Sequence, residues 1–206
     1  MFRFAACWAA SLHTPSVPIT SVDDQQPPCQ KFVQVKSMKC PCCGKEIEPY
    51  EMDVAFILPD TIFALPEDQR SARARAHSDL CSLDDRRYFI RGVVYVPVQQ
   101  LDTLFGWGVW AEVAKDIFLR YQDIYDEDAS AEPSAAGVLA NIPPGYSEIE
   151  QPLEIHFGRP DQRPTFTPSL TDSEFYREYV EGMPVRKWHS IMERHRGPSP
   201  GQVKPS

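Results

Sequence analysis

The chain has 206 residues, of which 42% are hydrophobic and 24% are charged, an ordinary composition for a globular protein with a hydrophobic core. Its net charge of −8 repels a phosphate backbone and its basic runs are short, so the sequence argues against nucleic-acid binding. No apolar stretch reaches the roughly 18–20 residues of a transmembrane helix, so we expect no membrane partner either.

The two ends of the sequence differ in composition from the middle. Residues 1–37 have little periodicity, and their first apolar run is interrupted by His13 and Pro15 without the cleavage site of a signal peptide. We interpret 1–37 as a disordered arm or a spurious upstream extension, and the Pro/Gly/Ser-rich 196–206 as a disordered tail. Residues 38–195 are predicted to form a single α+β domain in the cytoplasm.

The first half of this domain begins with a cysteine-rich turn at 38–44, and a loop with a short strand is predicted at 50–65. One or two exposed helical turns follow at 67–76. The strongest strand pattern lies at 88–98, which is dense in β-branched and aromatic residues. Gly92 in its middle predicts a bulge or a close approach of another group to the backbone.

A second strand is predicted at 106–113. Alternation places Trp107 and Val109 on one face, together with Ala111 and Val113, and Trp110 on the other face. Since both faces carry a large ring, this strand is predicted to be central and covered on both sides.

The second half alternates helices and short strands. A helix is predicted at 116–125 from its apolar periodicity, and strands at 137–141, 153–157 and 165–168. A last helix begins near Pro184 and presents one apolar face; that face consists of Val185, Trp188, Ile191 and Met192. His189 and His195 on this helix have no partner pattern and are predicted to face solvent. The predicted fold is α+β, a mainly antiparallel sheet with one or two packed helices and an N-terminal zinc-knuckle-like turn.

The order of several short motifs resembles an uncharacterised bacterial family, domain of unknown function 2199. The matching segments are Cys-Pro-Cys-Cys-Gly at 40–44, 78–84, 88–92, Trp-Gly-Val-Trp at 107–110, 137–144 and 163–164. The resemblance spans about residues 38–195. It implies no activity, because the family has none established. In the family pattern a histidine often follows the second knuckle cysteine by four residues, where this chain has Ile47.

The cysteines carry the clearest chemical signal. Cys40 and Cys43 form a C-x-x-C pair followed by Gly44, a spacing that lets two thiolates of a tight turn bind one cation. Zinc suits such sulfur ligands, so zinc is the predicted cofactor. Cys81 is the predicted third ligand, because it lies in the other cysteine-bearing family segment.

The fourth position of this predicted site is open to several ligands. Cys42, His77, Glu46 or a water molecule can occupy it, and a closed site would be structural whereas an open one would permit catalysis. The alternative is that the thiols bind no metal and pack as small apolar residues.

A second group of polar residues surrounds the long predicted strand. Arg91 lies among apolar residues, with Asp79 and Asp84 upstream, and we expect either an anion-binding arginine or a structural ion pair. Near the predicted turn at 158–164, Arg159 and Arg163 accompany His156 and can bind an acidic ligand or form a solvated hairpin tip.

Two classes of function remain open. The first is a cytoplasmic binding or accessory protein with a structural zinc knuckle and a protein or small-molecule partner. The second is a small zinc-dependent hydrolase with an open metal position. Thiol redox chemistry at Cys40 and Cys43 ranks third, because only a very short helix can follow Gly44, whereas a redox C-x-x-C opens a helix.

Overall fold

The structure is a computed structural model that describes residues 38–147 and 150–196. The predicted arm at 1–37 and the tail beyond residue 196 lie outside the described residues, so both stay predictions.

The described residues form ten strands, five α-helices and one short 3-10 helix at Pro49–Met52. The strands are β1 (Met38–Lys39), β2 (Glu46–Ile47), β3 (Asp53–Ala55), β4 (Ala74–Ala76), β5 (Leu80–Leu83), β6 (Arg87–Pro97), β7 (Leu104–Val113), β8 (Ala135–Leu139), β9 (Pro152–His156) and β10 (Thr165–Pro168). The helices are α1 (Asp60–Phe63), α2 (Glu67–Arg73), α3 (Lys115–Asp123), α4 (Glu174–Glu181) and α5 (Val185–Arg196).

Five strands close into a barrel in the order β7, β8, β9, β10 and β6, with β6 returning to β7. β6 and β7 form ten antiparallel residue pairs, from Tyr88 with Val113 to Pro97 with Leu104. β10 runs parallel to β6 and pairs with it only at Thr165 and Val93. β3 adds a parallel strand to β7, while β5 and β4 extend from β6. The α+β class is as predicted, but the expected sheet is in fact a closed barrel with extra strands.

Closure depends on the length of β6 and on Gly92 within it. Residues 87–90 of β6 pair with β5, and Val93 pairs with β10, so β6 changes its neighbour at Gly92. A Cβ at this position would lie 2.3 Å from the Phe166 ring and 2.7 Å from the Pro164 carbonyl oxygen. The predicted close approach to the Gly92 backbone is therefore confirmed, and it occurs where the barrel turns a corner.

The core has two parts separated by the wall of the barrel. Trp107 and Val109 belong to the main cluster, with Ala111 and Val113, whereas Trp110 belongs to a smaller cluster. The other buried members of that smaller cluster are Ile62, Cys81, Leu83 and Phe89. Trp107 and Trp110 are both fully buried, so the prediction of a central strand covered on both faces is confirmed.

Three helices, α3, α4 and α5, contribute buried side chains to the main core cluster. α3 corresponds to the predicted helix and contacts β6, while α4 had no counterpart in the prediction and contacts β6 and β10. The predicted apolar face of α5 is buried. None of the helices in the described residues is long and apolar enough to cross a bilayer.

Candidate metal centre

The cysteine-rich segment is a tight turn between β1 and β2, which pair antiparallel through Met38 with Ile47 and Lys39 with Glu46. The Gly44 amide donates to the Cys40 carbonyl oxygen at 2.8 Å. Gly44 has a φ of +72°, in the left-handed region that glycine adopts without strain. The predicted turn is confirmed, and it presents Cys40 and Cys43 together.

His189 of α5 reaches this turn. Its Nδ1 atom lies 3.3 Å from the Sγ atom of Cys40 and 4.0 Å from that of Cys43. All three atoms lie within 4.8 Å of one another, so these side chains form a group that can hold a metal ion. The prediction that His189 faces solvent without a partner is wrong, whereas His195 is exposed as expected.

Glu193, one helical turn beyond His189, orients the imidazole. The Nε2 atom of His189 lies 3.2 Å from the Glu193 Oε1 atom. A proton on Nε2, donated to this carboxylate, leaves the lone pair of Nδ1 directed at the two sulfurs. Carboxylates commonly hold metal-binding histidines in this way.

The distances suit a zinc ion. Tetrahedral zinc, with Zn–S bonds of about 2.3 Å and Zn–N bonds of about 2.0–2.1 Å, places a bound sulfur and a bound nitrogen about 3.5 Å apart. The two Sγ–Nδ1 distances of 3.3 and 4.0 Å lie on either side of that value. The donor set fits zinc with little movement of the side chains.

Cys81 does not join this group. It is fully buried in the smaller cluster with Phe89 and Trp110, on the other side of the barrel wall from the main cluster that contains Cys40. Burial raises the pKa of its thiol to about 11, which disfavours the thiolate that a metal requires. The structure thus brings His189, and not the predicted Cys81, to Cys40 and Cys43.

The predicted candidates for a fourth ligand also lie outside the group. Cys42 is exposed in the turn, and it is not a member of the group formed by Cys40, Cys43 and His189. His77 is exposed before β5, where its backbone amide donates to Leu80. Within the described residues, the group that could hold a metal ion thus consists of Cys40, Cys43 and His189.

The sequence contained one signal for His189 that the prediction did not use. His189 and Glu193 are four residues apart on a predicted helix, the spacing that brings two side chains together on one face. The contact with Cys40 spans 149 residues, and no local spacing rule predicts such a contact.

The structure separates the acidic residues that were grouped with Arg91. Asp84 forms a two-pronged ion pair with Arg73 on the exposed surface, at 2.9 and 2.7 Å. Asp79 is buried and pairs with Arg163 at 2.5 Å. Arg91 is half-buried, its Nη1 atom 3.4 Å from the Ser78 carbonyl oxygen and its guanidinium over the Trp110 ring.

Comparison with known proteins gives one match. The bacterial family described as uncharacterized proteins conserved in bacteria, DUF2199, matches residues 39–183. No curated protein and no solved structure matches. The matched region includes Cys40 and Cys43 but ends six residues before His189.

Proposed function

The chain belongs to the bacterial DUF2199 family, and on that premise we propose that it is a binding or accessory protein stabilised by a structural zinc ion. Cys40, Cys43 and His189 are the proposed ligands. The observation that carries this proposal is the 3.3 Å contact between the Cys40 sulfur and the His189 nitrogen, made by residues 149 positions apart.

The origin of the ligands supports a structural role. The turn between β1 and β2 has only two residue pairs of its own, and such a short hairpin needs further support to stay ordered. An ion bound to the turn and to α5 would join the turn to a helix whose apolar face already packs in the main core. Metal binding would therefore stabilise the folded chain and have no counterpart in the unfolded one.

A zinc-dependent hydrolase is the second candidate, and the three-ligand set favours it. Catalytic zinc sites commonly use three protein ligands and leave the fourth position to water. The turn is exposed at Cys42 and Cys43, so a substrate would have access to the ion. Removal of the ion should then abolish activity while leaving the fold intact.

Thiol chemistry without a metal is the third candidate. The contacts from Cys40 to His189 and from His189 to Glu193 match those between a nucleophile, its base and an orienting carboxylate. However, Cys40 is only 4% exposed, so a substrate would not reach its sulfur. If Cys40 and Cys43 instead formed a disulfide, neither sulfur would be available as a thiolate to bind a metal.

The test is the zinc content of purified protein incubated with zinc and then dialysed. We expect one zinc ion per chain in the wild type and less than a tenth of that in His189→Gln. The matched control is His195→Gln, on the same helix but exposed, which should keep one ion per chain. A wild type without zinc, or equal zinc in both variants, would overturn the assignment.

The melting temperature in a chelator measures how strongly the ion stabilises the fold. If zinc is present at about 100 times its Kd, its removal lowers the free energy of unfolding by about 2.7 kcal/mol. This corresponds to a fall of roughly 5–10 °C for a chain of this size. Loss of zinc without any change in melting temperature would contradict the structural role. A hydrolytic activity that is lost with the ion would favour the hydrolase.

A further inference from the structure

A cavity of about 570 Å³ is lined mainly by residues of β6, of the segment 121–129 and of the segment 158–165, and by none of Cys40, Cys43 and His189. This volume lies within the range of small-molecule sites. The residues that give it its chemistry are Asp79, Tyr95, Tyr121, Tyr125, Arg159 and Arg163. The rings of Tyr121 and Tyr125 meet edge to face with centroids 5.6 Å apart, and two arginines also line the cavity.

Asp79 at the base of this cavity fixes the position of Arg163. The Nε atom of Arg163 donates to Asp79 Oδ1 at 2.5 Å, and Tyr125 and Ser78 donate to Oδ2 at 2.8 and 3.0 Å. The terminal guanidinium nitrogens of Arg163 have no hydrogen-bond partner among residues 38–147 and 150–196, and its side chain is 44% exposed. Arg163 is thus held by one edge and keeps its other donors free for a ligand.

The charges around Asp79 are not balanced. Arg91 lies next to the pair, its backbone amide donating to the Asp79 carbonyl oxygen at 2.9 Å. Burial lowers the pKa of Arg91, the charge of Arg163 lowers it further, and Asp79 opposes both effects. The charges of Arg91 and Arg163 therefore both act on Asp79, although Arg91 itself does not line the cavity.

Tyr121 supplies a second free donor. Tyr121 is only 7% exposed, yet its hydroxyl has no hydrogen-bond partner in the described part of the chain. Tyr121 lines the cavity together with Asp79 and Arg163. Burial raises the pKa of its hydroxyl and the charge of Asp79 raises it further, whereas the charge of Arg163 lowers it. Arg163 and Tyr121 therefore both have hydrogen-bond donors without a partner in the described residues.

We propose that this cavity binds a small aromatic monocarboxylate. Its carboxylate would accept hydrogen bonds from Arg163 and Tyr121, and its ring would lie against Tyr95 and Tyr125. Tyr95 is 46% exposed, so its ring is accessible from the open side. This site is separate from the proposed metal centre and does not depend on it.

The acidic residues at the mouth favour a monoanion over a phosphate. Glu127 and Asp161 also line the cavity, and Asp161 lies 3.4 Å from the Arg159 guanidinium. These two carboxylates would repel a doubly charged phosphate more strongly than a singly charged carboxylate.

The test is calorimetric titration of the full chain with benzoate, phenylacetate, neutral benzamide and inorganic phosphate. We expect saturable 1:1 binding of benzoate or phenylacetate, at least tenfold weaker binding of benzamide, and no competition from phosphate. Arg163→Lys keeps the charge beside Asp79 but loses the planar fork, so carboxylate binding should weaken at least tenfold. Arg73→Gln removes another arginine paired with an aspartate and should bind as the wild type does.

Tyr121→Phe tests the site without disturbing a contact within the described residues, because its hydroxyl makes none there. Carboxylate affinity should fall several-fold, while the melting temperature stays within a few degrees of the wild type. Equal binding of benzamide, displacement by phosphate, or unchanged affinity in both Arg163→Lys and Tyr121→Phe would overturn the proposal. Failure of either carboxylate to bind would overturn it as well.

Discussion

Two cysteines of this chain lie in opposite environments although both are buried. Cys40 lies beside an imidazole nitrogen, whereas Cys81 is enclosed by Ile62, Leu83, Phe89 and Trp110. A thiol without a polar partner behaves as a small apolar side chain. The role of each sulfur therefore follows from its neighbours and not from the cysteine spacing.

Cys81→Ser is expected to lower stability and to leave zinc binding unchanged. A serine hydroxyl would be enclosed without a partner in the smaller cluster, which costs about 1–3 kcal/mol. Urea denaturation measures the loss, and metal analysis of the folded protein measures zinc. Cys43→Ser provides the comparison, because it should lose zinc; loss of zinc in Cys81→Ser would restore Cys81 as a ligand.

At the residue scale, the sequence predicts chemistry best where the partners are close in the chain. The Cys40–Cys43 turn follows from spacing and Gly44, and the burial of both Trp107 and Trp110 follows from alternation. The partner of Asp79 does not follow, since Arg163 is 84 residues away and competes with Arg91, which is much nearer. Only the closed barrel decides which arginine reaches the carboxylate.

At the element scale, α4 and α5 are joined by a buried ionic contact. The Lys187 Nζ atom of α5 lies 3.0 Å from both carboxylate oxygens of Glu178 in α4 and 3.6 Å from the centre of the Tyr146 ring. Tyr146 donates to Glu178 at 2.5 Å. Glu178 is 8% exposed, so it depends on these two partners for its solvation.

Glu178→Gln is expected to destabilise the protein by about 3 kcal/mol, because Lys187 loses its buried counter-charge. The matched control is Glu174→Gln, which removes a partner of the same lysine that is 51% exposed. The control should cost less than about 1 kcal/mol. Thermal unfolding of both variants measures the difference, and equal losses would show that the buried contact contributes no more than the exposed one.

The same glutamate explains why α4 was not predicted. Phe175 and Glu178 are its buried residues, so a charged side chain interrupts the apolar stripe that marks a helix in a sequence. α3 and α5 have unbroken apolar faces and were predicted to within three residues at each end. The five strands of the barrel were predicted, whereas β5 was not, and β4 lies where helical turns were expected. Barrel closure depends on β6 pairing with three other strands, which no local pattern reveals.

At the scale of the whole molecule, Asp79 links stability to pH. Burial alone would raise the pKa of its carboxyl, but the hydrogen bonds from Arg163, Tyr125 and Ser78 outweigh burial and lower this pKa below the ordinary value. A depressed folded-state pKa stabilises the fold at pH values above the unfolded pKa of about 4. This contribution is lost as the pH falls through the folded pKa.

The Asp79→Asn variant should therefore be less stable than the wild type at pH 7 and should lose less stability between about pH 4 and pH 2. Urea denaturation at several pH values measures both effects. Asp84→Asn is the control, since its ion pair with Arg73 is exposed and should contribute little. Parallel stability curves for Asp79→Asn and the wild type would contradict this role for Asp79.

The barrel is joined unevenly around its circumference. β6 and β7 share ten residue pairs, whereas β6 and β10 meet at one, Thr165 with Val93. Local opening requires the least free energy where the fewest hydrogen bonds break. The barrel is therefore expected to open first at the junction of β6 and β10. Both residues of that pair also line the cavity. A ligand that contacts both strands would hold this junction closed. Ligand binding in the cavity would therefore also make the barrel more rigid.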